Sequence, residues 1–405
     1  MALVAALVGG GCEAGVDGGG DAVVVTDSAG ITIITAPGDG LDRPLDVQLA
    51  AEPHLRIGSI DGGAETQLTA IVAVARLSDG RLMVAELGDE PLRIFSSDGT
   101  FLNWVGRVGQ GPGEFTYAVD AGVIDGDTLW LYDARTRDLE LYTPDGTSVR
   151  TFRPEAPDGA PNAGRSRMHP DGRVIREGTT FDLENIDRSQ DFQEEVVVSV
   201  AGREGRDAVA VTGGDGATYT FPFPGTFTSM YDLRFASRPD FAYARDLMYR
   251  ADPGPFEIRE ISYEGELLRI LRIERAREPV PEQIIQGYEQ RTRDQLREME
   301  ETNGRPVFPP IEERLANYTY ADSLPHFDNP IVDAQGRLWV TQYTDHVEIE
   351  ATRWWRIGSE GGVDGYLDVP ERFYPRLIDG EEIIGTQVGD LDVPYLVAYH
   401  LVGRP

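Results

Sequence analysis

The sequence contains no lysine and only one cysteine. All 37 basic residues are arginine, against 69 acidic residues, which gives a formal net charge of −32 at pH 7. This acidity argues against binding to nucleic acid, or to an anionic bilayer through a basic patch. Because Cys12 is the single cysteine, no intrachain disulfide can form, and the fold must depend on its apolar core.

Long apolar runs are also scarce, since no segment beyond the N-terminus offers the roughly 20 apolar residues of a transmembrane helix. The run ALVAALVGGG before Cys12 has the length of a signal-peptide core and ends in small residues. It resembles a lipoprotein signal in which Cys12 becomes the acylated first residue, and the alternative is an unprocessed N-terminus. Residues 13–21 are typical of a flexible tether. We expect residues 1–21 to be signal and tether, with the lipid-anchored protein in the cell envelope (periplasmic or outer membrane).

The sequence has a repeat of short strand patterns separated by turn dipeptides. Turn glycines at positions 80, 126 and 172 are 46 residues apart, and Gly99 and Gly146 form a second series with a step of 47. Asp-Gly between alternating apolar runs supplies the positive φ that a tight hairpin turn requires. Two such turns in each unit give four short strands, which is the pattern of one β-propeller blade.

Six units can be counted along the chain. The last has its turn glycine at 380, which is 44 residues beyond Gly336. The early segments AVVVTDSAGITIITA and LDVQLAAEPHLRIG precede the first full unit, and we expect both to pair with the last blade and close the ring. The predicted fold is all-β, a six-bladed β-propeller with four-stranded blades over residues 22–405.

One segment, residues 279–304, departs from the β pattern and predicts a helical insertion. Its sequence is PVPEQIIQGYEQRTRDQLREMEETNG, and Asn303-Gly304 is a plausible stop. A predicted apolar stripe at helical spacing consists of Ile284, Ile285, Tyr288, Leu296 and Met299. The stripe must pack on something, either the flank or rim of the propeller or, as a lid, the mouth of the central channel.

Several of these motifs together resemble a known family. DSAGITII, LRIG, LSDGRLMVAE, LRIFSSDGTFL and GRVGQGPGEF are similar to segments of the bacterial six-bladed β-propeller lipoproteins, which are relatives of NHL-repeat proteins. The resemblance covers residues 22–402, and GRVGQGPGEF is its most specific part. It implies an envelope protein built as one propeller, in a family of largely unknown activity.

Candidate site residues are expected on one face of the ring. Loops that join the second and third strands of a blade, and loops that join one blade to the next, share the face that we call the blade-linking face. Functional sites commonly lie on such loops over a rigid scaffold. The predicted ligand-binding residues are Arg107, Asp133, Arg135, Tyr343, His326 and His346. Arg107 and Arg135 would anchor anionic groups, since guanidinium pairs with carboxylate or phosphate through two hydrogen bonds. Alternatively, both arginines pair with nearby acids such as Glu114, Asp133 or Asp138.

Metal sites have only weak support in the sequence. His326 and His346 could act as ligands or as an acid–base pair, and Glu86, Asp133 and Asn329 could bind calcium, as in lactonase-like propellers. The remaining histidines, His54, His169 and His400, are assigned to strand, edge or turn positions. No GxSxG, HExxH or phosphate-binding glycine loop occurs. We therefore expect no catalytic residue and no cofactor, with calcium or zinc as the alternative.

Two function classes follow. The first is a monomeric, lipid-anchored binding or scaffold protein whose channel mouth holds a peptide, a glycan or a partner protein. The second is a metal-dependent propeller hydrolase or lyase. The sequence favours the first, and the arrangement of side chains at the channel discriminates between them: three or more converging carboxylates or histidines would favour an enzyme, whereas arginine, tyrosine and tryptophan would favour binding.

Overall fold

The computed structural model describes residues 23–156, 164–180, 192–220, 231–344, 351–358 and 360–404. Its strands form six sheets, which are the blades of a six-bladed β-propeller. Cys12, the tether and His346 lie outside the described residues. Within the described part of the chain, no helix has both the length and the apolar character needed to cross a membrane.

The strands follow one another blade by blade. Before the first blade come β1 (Val24–Ser28), β2 (Ile31–Pro37), β3 (Val47–Leu49) and β4 (Leu55–Ile57). Blade one consists of β5 (Ile71–Arg76), β6 (Leu82–Glu86), β7 (Leu92–Phe95) and β8 (Phe101–Val105). Blade two consists of β9 (Ala118–Ile124), β10 (Thr128–Asp133), β11 (Leu139–Tyr142) and β12 (Ser148–Phe152). Blade three consists of β13 (Gly164–Met168), β14 (Val174–Thr180), β15 (Phe192–Ala201), β16 (Val209–Thr220) and β17 (Tyr231–Asp232).

The second half of the ring continues in the same way. Blade four consists of β18 (Asp240–Tyr243), β19 (Leu247–Asp252), β20 (Glu257–Ser262) and β21 (Leu267–Glu274). Two helices follow, α1 (Glu282–Asn303) and α2 (Ile311–Leu315). Blade five consists of β22 (Phe327–Val332), β23 (Leu338–Gln342), β24 (Ala351–Ile357) and β25 (Val363–Pro370). Blade six consists of β26 (Phe373–Ile378), β27 (Glu382–Val388) and β28 (Pro394–Gly403).

The ring is closed by only one of the two early segments. β3 and β4 both pair antiparallel with β28 and complete blade six, as predicted for LDVQLAAEPHLRIG. The prediction for AVVVTDSAGITIITA was wrong, because β2 pairs in parallel with β21 and makes blade four six-stranded. The outer edge of blade six is already occupied by β3 and β4, while β21 offers β2 an apolar partner in Leu271, which lies opposite Ile34.

The core is divided among the contacts between blades. The described residues contain six apolar clusters, one at each junction of neighbouring blades. Leu82 and Val84 pack toward blade six, whereas Met83 and Ala85 pack toward blade two. Because both faces of a blade are covered, all five residues of β6 are buried, although the sequence pattern picks out only the alternate leucine and valine.

The turn predictions are confirmed at the hairpins. Gly80 and Gly126 have φ angles of 88° and 87°, the left-handed conformation that a side chain rarely adopts. Each turn lies on the face of the ring opposite to the blade-linking face. The 46-residue spacing of these glycines therefore reports the step from one blade to the next.

The helical insertion packs against the chain that connects blades three and four. The ring of Tyr288 lies 5.6 Å from that of Phe235, in an edge-on contact. α1 ends at Asn303, and the residue that follows it, Gly304, has a φ of 63°. The predicted apolar stripe is only partly buried: Leu296 is 7% exposed, whereas Met299 is 49% exposed. None of the residues of α1 lines the central cavity described below.

Candidate ligand-binding site

A cavity of about 820 Å³ occupies the channel of the propeller. Ligand pockets commonly have volumes of about 300–1,000 Å³. Every blade contributes its innermost strand to the wall, through Val72–Val74, Val119–Ala121, Arg165 and Arg167, Asp240 and Phe241, Asp328–Ile331, and Phe373–Arg376. The wall also includes Thr344 and Glu371, which lie in connections of the blade-linking face. The cavity is therefore bounded by loops of the face on which the sequence predicts the site.

One side of the cavity carries a charged cluster centred on Arg167. The Arg167 guanidinium lies 3.3 Å from the Asp120 carboxylate and 3.8 Å from that of Glu177. It also lies over the ring of Tyr243, at 4.8 Å from the centroid, and the Tyr243 hydroxyl donates a 2.7 Å hydrogen bond to Glu177. The cluster therefore joins blades two, three and four around a single cation.

Burial changes the acid–base properties of this cluster. Desolvation raises the pKa of Asp120, and the nearby Arg167 and Arg165 offset this only in part. Desolvation likewise raises the pKa of Asp240, against the opposing effect of a backbone hydrogen bond from Phe241. Shifted carboxyl groups in a cavity are a frequent property of functional sites.

Two arginines of the wall differ from Arg167. Within the described part of the chain, neither Arg165 nor Arg376 lies within 4 Å of a carboxylate oxygen, although Arg165 attracts Asp120 and Asp240 at longer range. Burial lowers the pKa of Arg376, since no carboxylate compensates for the loss of water around its charge. Arg165 belongs to blade three and Arg376 to blade six. The two arginines therefore approach the cavity from opposite sides of the ring of six blades.

The wall of blade five adds two buried polar groups. Thr341 and Trp354 are cross-strand partners on β23 and β24, and both line the cavity. They are only 6% and 5% exposed. The Thr341 hydroxyl and the indole N–H of Trp354 have no hydrogen-bond partner among the described residues. Buried polar groups are usually satisfied, so these two favour a ligand or water beside them.

Glu86 and Asp133, predicted as calcium ligands, are each engaged by their own blade. The Thr116 amide and hydroxyl donate hydrogen bonds of 2.5 and 2.9 Å to Asp133. In blade one, Thr69 donates in the same way to Glu86, and the spacing within each pair is 17 residues in both blades. Glu86 also forms a buried ion pair with Arg93. These carboxylates hold the chain that enters the inner strand, and neither lines the cavity.

The arginines predicted as anchors have protein partners. Arg107 is 75% exposed and lies 2.7 Å from the Glu114 carboxylate, which also accepts a 2.8 Å hydrogen bond from the Gly111 amide. Arg135 lies over the ring of Tyr117, at 5.2 Å from the centroid. Neither arginine lines the cavity. The GRVGQGPGEF loop itself is a turn between blades one and two, anchored by the 1%-exposed Phe115.

The remaining predicted residues are near the channel or outside the described chain. Asn329 lines the cavity with a φ of 47°, which is uncommon for a residue with a side chain. His326 and Tyr343 are brought together by a 3.2 Å backbone hydrogen bond from Tyr343 to His326. Burial, with Arg275 and Arg277 nearby, lowers the pKa of His326, whose ring packs on Phe256. Neither His326 nor Tyr343 lines the cavity.

Sequence reasoning missed the arginines of the inner strands, although a signal was present. In GRSRM, Arg165 and Arg167 alternate with Ser166 and Met168, so both arginines point to one side of β13. In FYPRLI, Tyr374 and Arg376 alternate with buried residues in the same way. An alternating arginine on the first strand of a blade therefore indicates a residue that faces the channel.

Comparisons with known proteins agree with this architecture. Residues 64–149 match the family DUF5128, described as 6-bladed beta-propeller. The chain is a six-bladed β-propeller. The resemblance inferred from its motifs is thus confirmed for the fold, over a match that spans blades one and two. A search of curated proteins finds no match to this sequence.

Solved structures with a similar fold cover nearly the whole propeller. A member of the duf4221 family from Bacteroides vulgatus has a TM-score of 0.51 and 9% identity, covering 88% of this chain and 98% of that chain. A Bacteroides fragilis protein whose name describes it as exported has a TM-score of 0.49 and 11% identity, covering 92% and 100%. A gluconolactonase from Xanthomonas campestris has a TM-score of 0.45 and 14% identity, covering 89% and 99%. At these identities the similarity shows the fold alone.

Proposed function

We propose that this propeller binds a small anionic ligand in its central cavity, with Arg165 and Arg376 as anchors. The observation that carries the proposal is that both guanidinium groups line the cavity without an ion pair among the described residues. Each can pair with a carboxylate or a phosphate through two parallel hydrogen bonds. This keeps the anionic ligand of the sequence-based prediction and moves its anchors from Arg107 and Arg135 into the channel.

The rest of the wall supports a ligand that carries hydroxyl or amide groups as well as negative charge. Thr341 and Trp354 carry unpaired hydrogen-bonding groups in the wall of blade five, and Asp120 and Asp240 flank Arg165 from blades two and four. Tyr374, which is half exposed beside Arg376, adds an aromatic surface. An acidic sugar or an acidic peptide end has this combination of groups.

The arrangement favours binding over the metal-dependent hydrolase or lyase. That alternative requires at least three ligands that converge on the channel. In the described part of the chain, the group of His and carboxylate side chains close enough to share an ion consists of His54, Glu382 and His400. None of these three residues lines the cavity, whereas arginine, tyrosine and tryptophan side chains do.

The experiment uses three probes of defined chemistry: glucuronate, citrate and inorganic phosphate. Each is titrated into the protein by isothermal titration calorimetry at low ionic strength. We expect at least one probe to bind with a stoichiometry of one. Removal of a charge-assisted hydrogen bond costs about 1.5–3 kcal/mol, so Arg165→Gln and Arg376→Gln should each weaken binding by about 10- to 100-fold.

Arg107→Gln is the matched control, because this arginine is exposed, paired with Glu114 and remote from the cavity wall. It should leave the affinity unchanged. If none of the three probes binds, or if the Arg165→Gln, Arg376→Gln double variant binds as tightly as the wild type, the proposed site is wrong.

We also propose that Cys12 is acylated and tethers the propeller to an envelope membrane. The support is the apolar run that precedes Cys12 and the Gly- and Asp-rich stretch that follows it. Membrane fractionation of the full-length protein and of its Cys12→Ala variant tests this. We expect the wild type in the membrane fraction and the variant in the soluble fraction, and equal partitioning of both would reject the anchor.

A further inference from the structure

Two histidines and a glutamate meet where the ring closes, away from the central cavity. Glu382 begins β27 and lies directly opposite His400 on β28. His54 immediately precedes β4, and its amide donates a 2.9 Å hydrogen bond to the Ala398 carbonyl. The group therefore combines one side chain from the early closing segment with two from the last blade.

The side chains are close enough to share one ion. The Nε2 atom of His54 lies 2.9 Å from Oε2 of Glu382. The rings of His54 and His400 are stacked, with centroids 3.7 Å apart and planes 7° from parallel. One ligand atom from each of the three residues lies within 4.8 Å of the others. Two imidazoles and one carboxylate are a common ligand set for zinc, with the fourth position left open.

The carboxylate is already oriented by a neighbouring blade. Arg76, at the end of β5 in blade one, pairs with Oε1 of Glu382 and, at 3.1 Å, with Asp379. This contact leaves Oε2 directed to His54. Ligand carboxylates are commonly held in this way by a second group, which fixes the oxygen that faces the metal.

One adjustment is needed before an ion can bind. A metal lies close to the plane of each imidazole that binds it, and two nearly parallel rings stacked with their centroids 3.7 Å apart cannot both direct a nitrogen lone pair at one ion. At least one ring must turn out of the stack. His54 and His400 are both exposed, so their side chains can rotate without disturbing the core.

We propose that His54, Glu382 and His400 bind a divalent transition-metal ion, with zinc as the best fit, and that this ion clamps the ring closed. β3 and β4 are short strands of three residues each, and they hold the closure through their pairing with β28. An ion bound by His54, from the closing segment, and by Glu382 and His400, from blade six, adds a second connection at the same junction. The site is independent of the ligand proposed for the channel.

The experiment measures zinc binding by the tag-free full-length chain carrying Cys12→Ser, so that neither a tag nor the thiol competes. Zinc is titrated against a chromophoric chelator after treatment with EDTA. We expect one zinc ion per chain, and at least a tenfold loss of affinity in His54→Ala, His400→Ala and Glu382→Gln. Gln335→Ala is the matched control, because Gln335 lines the adjoining groove without offering a ligand.

Two further measurements keep the result interpretable. Circular dichroism and the thermal midpoint of each variant in EDTA show whether it folds. Hydrogen exchange should slow on addition of zinc in residues 47–57 of the wild type and not in the His54→Ala, His400→Ala double variant. Zinc binding of equal affinity in that double variant, or the absence of stoichiometric binding in the wild type, overturns the site. Unchanged exchange in residues 47–57 overturns the clamp.

Discussion

Replacing Asp133 by alanine tests whether the buried carboxylates of blades one and two are structural. Asp133 is fully buried and accepts hydrogen bonds from the amides of Thr116, Arg135 and Thr136 and from the Thr116 hydroxyl. In Asp133→Ala, three backbone donors and one hydroxyl lose their acceptor. The link between the GRVGQGPGEF loop and β9 depends on these bonds.

The expected loss is large for a single residue. Each buried donor left without a partner costs about 1–3 kcal/mol, and partial access of water to the loop reduces the sum, so we expect about 3–5 kcal/mol in total. With an unfolding entropy of about 2.1 cal/mol/K per residue, a propeller of roughly 380 residues should lose about 4–6 °C in thermal midpoint. Thr116→Val removes only the hydroxyl bond and should cost about 1 kcal/mol.

The pH dependence gives a second test. Burial by itself raises the pKa of Asp133, but hydrogen bonds from the backbone of Thr116, Thr136 and Arg135 outweigh it and leave the pKa below its ordinary value. A carboxyl group with a lowered pKa in the folded state stabilises the fold above its unfolded pKa of about 3.9. That contribution is lost as the pH falls through the folded pKa. The isosteric variant Asp133→Asn should therefore differ most from the wild type near neutral pH.

The assay is thermal unfolding followed by circular dichroism at pH 7 and at lower pH values. Asp138→Asn is the control, because Asp138 pairs with the exposed Arg153 and such surface pairs contribute about 0–1 kcal/mol. If Asp133→Ala unfolds within 1 °C of the wild type at pH 7, the carboxylate is not structural. The structural role that we assign to Asp133, and by analogy to Glu86, would then have to be abandoned.

Three further predictions concern other parts of the ring. Phe115→Ala should cost about 3–5 kcal/mol, measured by urea unfolding, because the 1%-exposed ring fills the junction of blades one and two; a loss below 1 kcal/mol would contradict that packing. Burial raises the pKa of Glu140 to about 7, although a hydrogen bond from Thr151 acts in the opposite direction. The ionised carboxylate therefore destabilises the fold above pH 7, and this destabilisation declines as the pH falls toward the unfolded pKa of about 4.3. Glu140→Gln should therefore raise the thermal midpoint at pH 8 and have little effect at pH 4, and an equal effect at both values would refute this. Asn329→Gly should stabilise the protein by about 0.5–1 kcal/mol by relieving a positive φ of 47°, whereas a destabilised variant would show that the Asn329 side chain contributes to the wall.

The repeat and its turns could be predicted from the sequence because they depend on local chemistry. An Asp-Gly turn requires a positive φ wherever it occurs, and its spacing gives the size of the blade directly. The six units followed from such spacings. The pairing of the early strands could not be predicted in this way. β2 pairs with β21, which is more than 200 residues away along the chain, and not with β28.

The site was harder to predict, because the channel is formed by residues from all six blades. Loop residues such as Arg107 stand out in the sequence, yet their partners lie within a few positions, as Glu114 does. Arg165 and Arg376 lie inside ordinary strand patterns and acquire their setting only when the ring closes. His54 and His400, 346 positions apart in the sequence, likewise meet only through the pairing of β28 with β4.

The charge balance of the chain gives the two channel arginines their significance. With 69 acidic and 37 basic residues, a carboxylate partner is available to almost any arginine, and Arg107, Arg153 and Arg167 each have one. A guanidinium withdrawn from water without a partner costs free energy, as the lowered pKa of Arg376 indicates. An anion that enters the cavity would offset this cost at Arg376, and Arg165, which is exposed on the wall, offers a second cation to it. The cost at Arg376 therefore favours an anion beside it, which is why we assign the function of the propeller to its channel.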